Sequence, residues 1–244
     1  MLVPKKSLGQ NFLIDRNIIK KIANLAKIEN KKILEIGPGT GNLTEEIINH
    51  KPKKLIVIEK DEILSKLIKK KYEKNKNVII KIMDALLYNF EKDDINIIIS
   101  NLPYNISIEL IYKILLSNKH FNKLIFMVQK EVAYKMSNKS KKNNKLKFFI
   151  ESTCNFEYAF TIPRHVFYPK PKIESSLVIL RPYKNTNIDK KKLLLFSKKI
   201  FFNKRKKISN VINYKYSDEV SKELIIKRVE NLSTKEILHL FNHS

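Results

Sequence analysis

Short apolar runs recur along a lysine-rich chain. Ile33–Ile36, Leu55–Ile58, Val78–Met83, Ile95–Ile99 and Leu124–Val128 each read as a strand. Helical patterns lie between them, near residues 42–50, 61–75, 106–118 and 130–138. This alternation predicts βαβ units, and so an α/β fold with a mostly parallel sheet and helices on both faces. Phe156–Ile162 and Leu177–Leu180 follow with less helix between them and are expected as an antiparallel edge pair. Residues 138–147, NKSKKNNKLK, have no apolar periodicity apart from Leu146 and read as a solvated loop. Beyond Pro182 no run makes a convincing strand. Short helices are expected near 187–202, 205–213, 218–229 and 233–241. The change of pattern divides the chain into an α/β domain, residues 1–184, and a small all-α C-terminal domain, residues 185–244.

Glycine is scarce, and that scarcity locates a site. Average usage would give about 17 in a chain of this length. There are four, and Gly37, Gly39 and Gly41 fall within five residues. The segment ILEIGPGTGNLT sets a strand, a glycine turn and a helix start in order, so backbone can approach a ligand closely at a helix N-terminus. Glu59 ends the next strand, where a carboxylate accepts the two hydroxyls of a ribose. These residues alone point to a nucleotide-like ligand, with a nicotinamide dinucleotide as one candidate. Glu35 before the first glycine, and the spacing G-P-G-T-G in place of G-x-G-x-x-G, lead away from that candidate. Asp84, followed by Ala85, closes the third strand at the same sheet edge, and it also suits an N-cap.

The fourth strand runs into SNLPYNIS, Ser100–Ser107, which carries no charge. Pro103 stiffens the turn and holds Leu102 extended. Asn101 supplies an amide oxygen and Tyr104 a flat face, a pair suited to an exocyclic amine on an aromatic ring. Asn105 is expected to cap the following helix.

Charge adds a partner. Lys+Arg is 49 against 24 Asp+Glu, a net +25. Such an excess suits a polyanion, nucleic acid first and an anionic membrane second. Abundant lysine, asparagine and isoleucine with only five arginines also reflect an AT-rich composition. Lys204, Arg205, Lys206 and Lys207 form the densest basic run of the C-terminal region. Cys154 is the single cysteine, so one chain can form no disulfide and no cysteine-based zinc site. No bound metal is expected. No apolar run approaches the roughly 20 residues of a membrane span, and no secretory signal is visible. A soluble, cytoplasmic, monomeric protein is expected.

EIGPGTGNLT resembles motif I of the class I S-adenosylmethionine-dependent methyltransferases, and NLPY resembles the motif of enzymes that methylate adenine N6. Together with SLGQNFLID, VFYPKPKIESSLV and FFNKRKKISNVI, they make the chain similar over nearly its whole length to the ribosomal RNA adenine dimethyltransferases. Within these it resembles the small-subunit enzymes more than the macrolide-resistance large-subunit enzymes. The resemblance implies a Rossmann-like sheet and S-adenosylmethionine as cofactor. Asn11 and Leu13 would close over it, Gly37 and Gly39 would approach its methionine part, Glu59 would take its ribose, and Asp84 with Ala85 its adenine. Asn101, Leu102, Pro103 and Tyr104 would hold the target amine, Tyr104 and Phe167 would sandwich the base, and Lys204–Lys207 would bind RNA phosphates. The implied product is N6,N6-dimethyladenosine, at two adjacent adenosines near the 3′ end of small-subunit rRNA, free or in a pre-small ribosomal subunit. The segment after QKEVA departs from the family, which commonly carries glycine and tyrosine there. Rival readings are a DNA adenine methyltransferase, a small-molecule methyltransferase, and a ribosome-assembly or transcription factor that keeps the fold without the chemistry.

Overall fold

The computed structural model describes residues 4–5, 8–137, 140–184, 187–212 and 223–243. In chain order the elements are β1 (Phe12–Leu13), α1 (Arg16–Ala26), β2 (Lys32–Ile36), α2 (Asn42–Asn49), β3 (Lys54–Glu59), α3 (Glu62–Tyr72), β4 (Val78–Ile82), β5 (Ile97–Asn101), α4 (Ser107–Leu116) and β6 (Lys123–Gln129). These are followed by α5 (Lys130–Met136), α6 (Lys145–Thr153), β7 (Cys154–Ile162), β8 (Phe167–Tyr168), β9 (Ser175–Pro182), α7 (Lys190–Phe202) and α8 (Thr234–Asn242).

The main sheet has the order β4-β3-β2-β5-β6-β9-β7. Neighbours from β4 to β6 are parallel, and β9 runs antiparallel to β6. The two late runs are hydrogen-bonded neighbours at the sheet edge, as expected, with β9 joining the outermost strand β7 to β6. Alternate strand residues face opposite sides. Ile33, Leu55, Val57, Ile97, Ile99 and Ile125 share a core with α1 and α2. Leu34, Ile56, Ile98 and Phe126, which point the other way, are equally buried, so both faces are covered.

The chain builds outward from β2 to β4, then crosses back to β5 on the other side of β2. That reversal opens a crevice at the strands' C-terminal ends, where doubly wound sheets bind ligands. β5 starts two residues later than the sequence pattern suggests and runs through Asn101. Asn96 instead closes a loop, its side-chain oxygen accepting from the Lys32 N–H at 2.8 Å. Ser100 stays in the sheet because its hydroxyl donates to the Ile36 carbonyl at 2.6 Å.

Two helices were not expected. In α1, Asp15 accepts the Ile18 N–H, and Ile19, Ile22, Ala23 and Ala26 form the buried stripe. In α6, Asn144 accepts from Leu146 and Lys147, so a helix begins inside the segment read as a loop. Asn138 and Lys139, from the same segment, lie outside the described residues.

Residues up to Ala133, with Glu157–Pro182, form one compact unit; Tyr134–Phe156 and the chain from Tyr183 onward form the second. One division falls between Pro182 and Tyr183, and the second unit also takes in α6. The reason is apolar: Leu146, Phe148, Phe149 and Ile150 are buried, and Phe148 stacks at a tilt on Phe201 of α7 with ring centroids 6.1 Å apart. Phe196 of α7 meets Phe241 of α8 edge-on at 5.4 Å. Ser233 and Glu236 form a capping box at the start of α8. Of the helix expected over 205–213, residue 213 lies outside the described residues, and the rest is a turn followed by a short 3-10 segment, Ile208–Asn210. The Lys204 and Lys206 carbonyls accept from the Glu230 and Val229 N–H groups, which replaces helical bonding with a ladder to a second segment. Of the helix expected over 218–229, residues 218–222 lie outside the described residues, and the remainder leads into a 3-10 turn at Val229–Asn231.

Candidate active site

Four strand ends meet at one cleft. Gly37, Glu59, Asp84 and Asn101 all line it, as do Asn11, Leu13, Gly39, Ala85, Leu102, Pro103 and Tyr104. Gly37 follows β2 with φ +66°, a conformation that only glycine adopts without strain, and its N–H donates to the Ile58 carbonyl at 2.9 Å. A Cβ there would meet only the Asn101 carbonyl, at 3.9 Å, so the glycine leaves the cleft side open. At Gly39 the demand is different: a Cβ would lie 2.7 Å from the Phe12 ring. That glycine lets the N-terminal segment pack onto the loop.

The N-terminal segment is tied down at several points. Lys5 and Gln10 both reach Asp61, at 2.9 Å and 3.2 Å. Asn42 donates to the Leu13 carbonyl at 2.9 Å, and Asn101 to the Asn11 carbonyl at 2.7 Å. Asp61 also caps α3 through its other oxygen. Burial pushes the Asp61 carboxyl up, but Lys5, Gln10 and two backbone N–H groups outweigh it and hold the pKa below the ordinary range.

The acids of the cleft differ in state. Glu35 is 1% exposed, and its Oε2 has no hydrogen-bond partner. Burial raises its pKa to about 8; the Thr44 hydroxyl pulls it partly back and the Glu59 charge adds to the rise. Glu59 is also raised by burial, although the N–H groups of Asp61, Gly39 and Lys60 favour its charged form. The Asp61 N–H donates to its Oε1 at 2.8 Å, and a carboxylate has about four acceptor positions, so positions remain for hydroxyl donors. Asp84 is held low, first by Lys60 at 2.7 Å and then by the Leu86 N–H, which it caps. The N-cap reading of Asp84 is therefore realised, at the cleft wall.

At the NLPY turn the Asn101 side chain is fixed. Only its nitrogen can donate to the Asn11 carbonyl, so its oxygen is the free end. That Oδ1 is buried and has no partner. The Tyr104 hydroxyl lies 2.5 Å from the Ser175 hydroxyl, which anchors the ring at the cleft.

Phe167 is not brought there. It is 3% exposed in the core around α1, and its strand β8 pairs with β1, Leu13 opposite Phe167. That pairing turns its ring inward, so it does not line the cleft. Asn105 is exposed and does not cap α4; the cap position is Ile106, with no side-chain bond. Lys204, Arg205, Lys206 and Lys207 are all exposed, on turn and extended backbone and not on a helix face. Sequence reasoning passed over Glu35 as a site residue, although a charge inside the apolar strand ILEI was the available signal. The Lys5–Gln10–Asp61 clamp left no local signal, because it joins residues about 50 apart.

Residues 2–243 match the family described as Ribosomal RNA adenine dimethylase. The chain belongs to the ribosomal RNA adenine dimethylase family. Among curated relatives, Ribosomal RNA small subunit methyltransferase A of Mycoplasma mobile is 40% identical over 91% of this chain and 88% of its own. The protein of the same name from Hydrogenobaculum is 35% identical over 99% and 94%. A dimethyladenosine transferase from Plasmodium falciparum has a similar structure, with TM-score 0.79, 26% identity and coverage of 95% and 98%. The 23S rRNA methyltransferase ErmE, at TM-score 0.77 and 23% identity over 95% and 98%, shares the fold. The dimethylase fold is thus the class I methyltransferase sheet. Among the described residues no cluster of metal-ligating side chains occurs, and no helix is long and apolar enough to cross a membrane.

Proposed function

We propose that this protein transfers methyl groups from S-adenosylmethionine to N6 of adenine in small-subunit ribosomal RNA, twice per base, giving N6,N6-dimethyladenosine. The observation that carries this reading is the Asn101 oxygen: a buried acceptor without a partner on a residue that lines the cleft, left free because its amide nitrogen is committed to the Asn11 carbonyl.

The cleft suits the cofactor. Glu59 has acceptor capacity left for ribose hydroxyls, Asp84 and Ala85 stand at the next strand end for its adenine, and Gly37 leaves space beside Asn101. The unpartnered Glu35 oxygen suits a cationic amino group. When bound, the cofactor supplies a methyl group activated on a sulfonium.

The protein's part is positioning. Adenine N6 is a weak nucleophile because its lone pair is delocalised into the ring. Asn101 Oδ1 and the Leu102 carbonyl accept its two hydrogens, which favours a pyramidal nitrogen and aims the lone pair. Pro103 holds the Leu102 carbonyl in place. Tyr104 stacks on a base taken out of its helix, an interaction worth about 1–3 kcal/mol. Orienting the partners supplies much of the rate. The nitrogen sheds its extra proton to water once alkylated, so no strong base is required. Lys204–Lys207 hold RNA phosphates without reading sequence. We further propose that it acts as a cytoplasmic monomer, on small-subunit rRNA or on a pre-small ribosomal subunit.

The test is transfer of labelled methyl groups to undermethylated small subunits, naked rRNA, large subunits and DNA in parallel. Two methyl groups per target adenine on the small subunit are expected. Preferential transfer to large subunits or to DNA would overturn the assignment.

A further inference from the structure

Helix α7 sorts its residues cleanly by face. Leu193, Leu194, Phe196, Ser197 and Ile200 are buried. Lys191, Lys192, Leu195, Lys198, Lys199 and Phe202 are exposed. The exposed set recurs at i, i+1, i+4, i+7, i+8 and i+11, which is one continuous stripe of an α-helix. The helix, KKKLLLFSKKIFF, contains no acid. The adjacent carboxylate, Asp189, is turned to the Lys191 and Lys192 N–H groups as the helix cap.

Lysines alone would make this an ordinary solvated face. The two apolar side chains do not fit that description. Leu195 is 65% exposed, and Phe202, at 85%, is the most exposed large apolar side chain among the described residues. A phenyl ring in water forgoes the gain that burial brings. Phe202 also stands at the junction of two basic surfaces, because the exposed run Lys204–Lys207 follows one residue later. A flat apolar ring flanked by cations matches the chemistry of single-stranded nucleic acid: phosphates pair with the cations and an unpaired base stacks on the ring. An anionic membrane fits less well. It needs a continuous apolar strip, whereas Leu195 and Phe202 lie about 10 Å apart along the axis with Lys198 and Lys199 between them.

We infer that the exposed face of α7 is an RNA-docking surface in its own right, on which Phe202 stacks an unpaired base while Lys191, Lys192 and Lys198 hold phosphates. This rests on the reading of RNA as the substrate and adds a contact outside the cleft and outside Lys204–Lys207.

The test measures binding of a labelled single-stranded RNA 12-mer by anisotropy across a salt series. The same RNA annealed to its complement, and vesicles containing an anionic lipid, serve as further arms. Phe202→Ala weakens single-strand binding about tenfold and leaves the salt slope unchanged, and Phe202→Trp restores it. Replacing the three lysines with glutamine lowers the salt slope by about 2, at roughly 0.7 per cation. All variants should melt like the wild type, since every altered side chain is exposed. Single-strand affinity unchanged in Phe202→Ala, an unchanged slope in the lysine variant, or a preference for vesicles over RNA each overturns the inference. Methyl transfer by the wild type to undermethylated small subunits is run alongside. Its absence would sink the functional reading itself, whereas transfer with RNA binding indifferent to Phe202 sinks only this surface.

Discussion

The side-chain nitrogen of Asn101 donates to the backbone carbonyl of Asn11 at 2.7 Å, joining residues 90 apart in sequence. The bond commits the amide nitrogen and leaves the buried oxygen without a partner. Asn101→Ala removes the acceptor and should lower methyl transfer about 10²–10³-fold, the usual loss for one preorganised hydrogen-bonding group. Cofactor affinity, measured by titration calorimetry, should change only slightly. Asn101→Asp should fail as well, because a carboxylate has no proton to give the Asn11 carbonyl. Normal turnover in either variant would remove Asn101 from the mechanism.

Glu35 makes stability depend on pH. Its pKa is about 8 in the folded protein against 4.5 for the ordinary group. Between these values the folded state holds a proton that the unfolded state has lost, so stability falls as pH rises through the window. Glu35→Gln removes that dependence. In thermal melts without cofactor it should match the wild type near the lower value and gain on the order of 5 °C near the upper one. A constant difference across the range would show that Glu35 does not titrate in this way.

Phe167 and Tyr104 should separate stability from activity. Phe167→Ala opens a hole in the core and should cost about 3–5 kcal/mol, read by chemical denaturation. Phe167→Leu, which keeps most of the volume, should stay active. Tyr104→Ala should raise the KM for RNA about tenfold, while Tyr104→Phe keeps the ring and most activity. Loss of methylation in a normally folded Phe167→Leu protein would return that ring to the site.

Removal of residues 183–244 should not liberate a clean catalytic fragment. It strips α7 and α8 from Leu146, Phe148, Phe149 and Ile150 of α6. Fragment 1–182 is expected to bind a hydrophobic dye and to aggregate in sedimentation. A monodisperse fragment that binds no dye would show that α6 finds other cover.

The strands and the cleft were legible because both depend on local pattern. A parallel strand buried on two faces must be an apolar run, and a loop that admits a ligand must use glycine in a chain that otherwise avoids it. Gly37, Glu59, Asp84 and Asn101 fell at one edge by strand order alone. Helix α1 carries the right spacing at Ile19, Ile22, Ala23 and Ala26, but lysines interleave it and weaken the pattern. The start of α6 was hidden by its own cap, since Asn143 and Asn144 look like loop residues until their oxygens meet N–H groups. Phe167 could not be placed from sequence because a two-residue pairing with β1 decides which way its ring points. The family resemblance supplied what spacing could not: the identity of the amine and of the methyl donor.

The order β6-β9-β7 also dictates a timetable. β7 comes out of the ribosome before β9, yet β9 is the strand that joins it to the sheet. Residues 154–162 must therefore wait without a strand neighbour, and the outer edge of β6 stays bare, until Pro182 has been added. Between completion of β6 at Gln129 and addition of Pro182, roughly fifty residues later, the nascent protein displays an unpaired, largely apolar strand border, the kind of surface that recruits chaperones or a second unfinished copy.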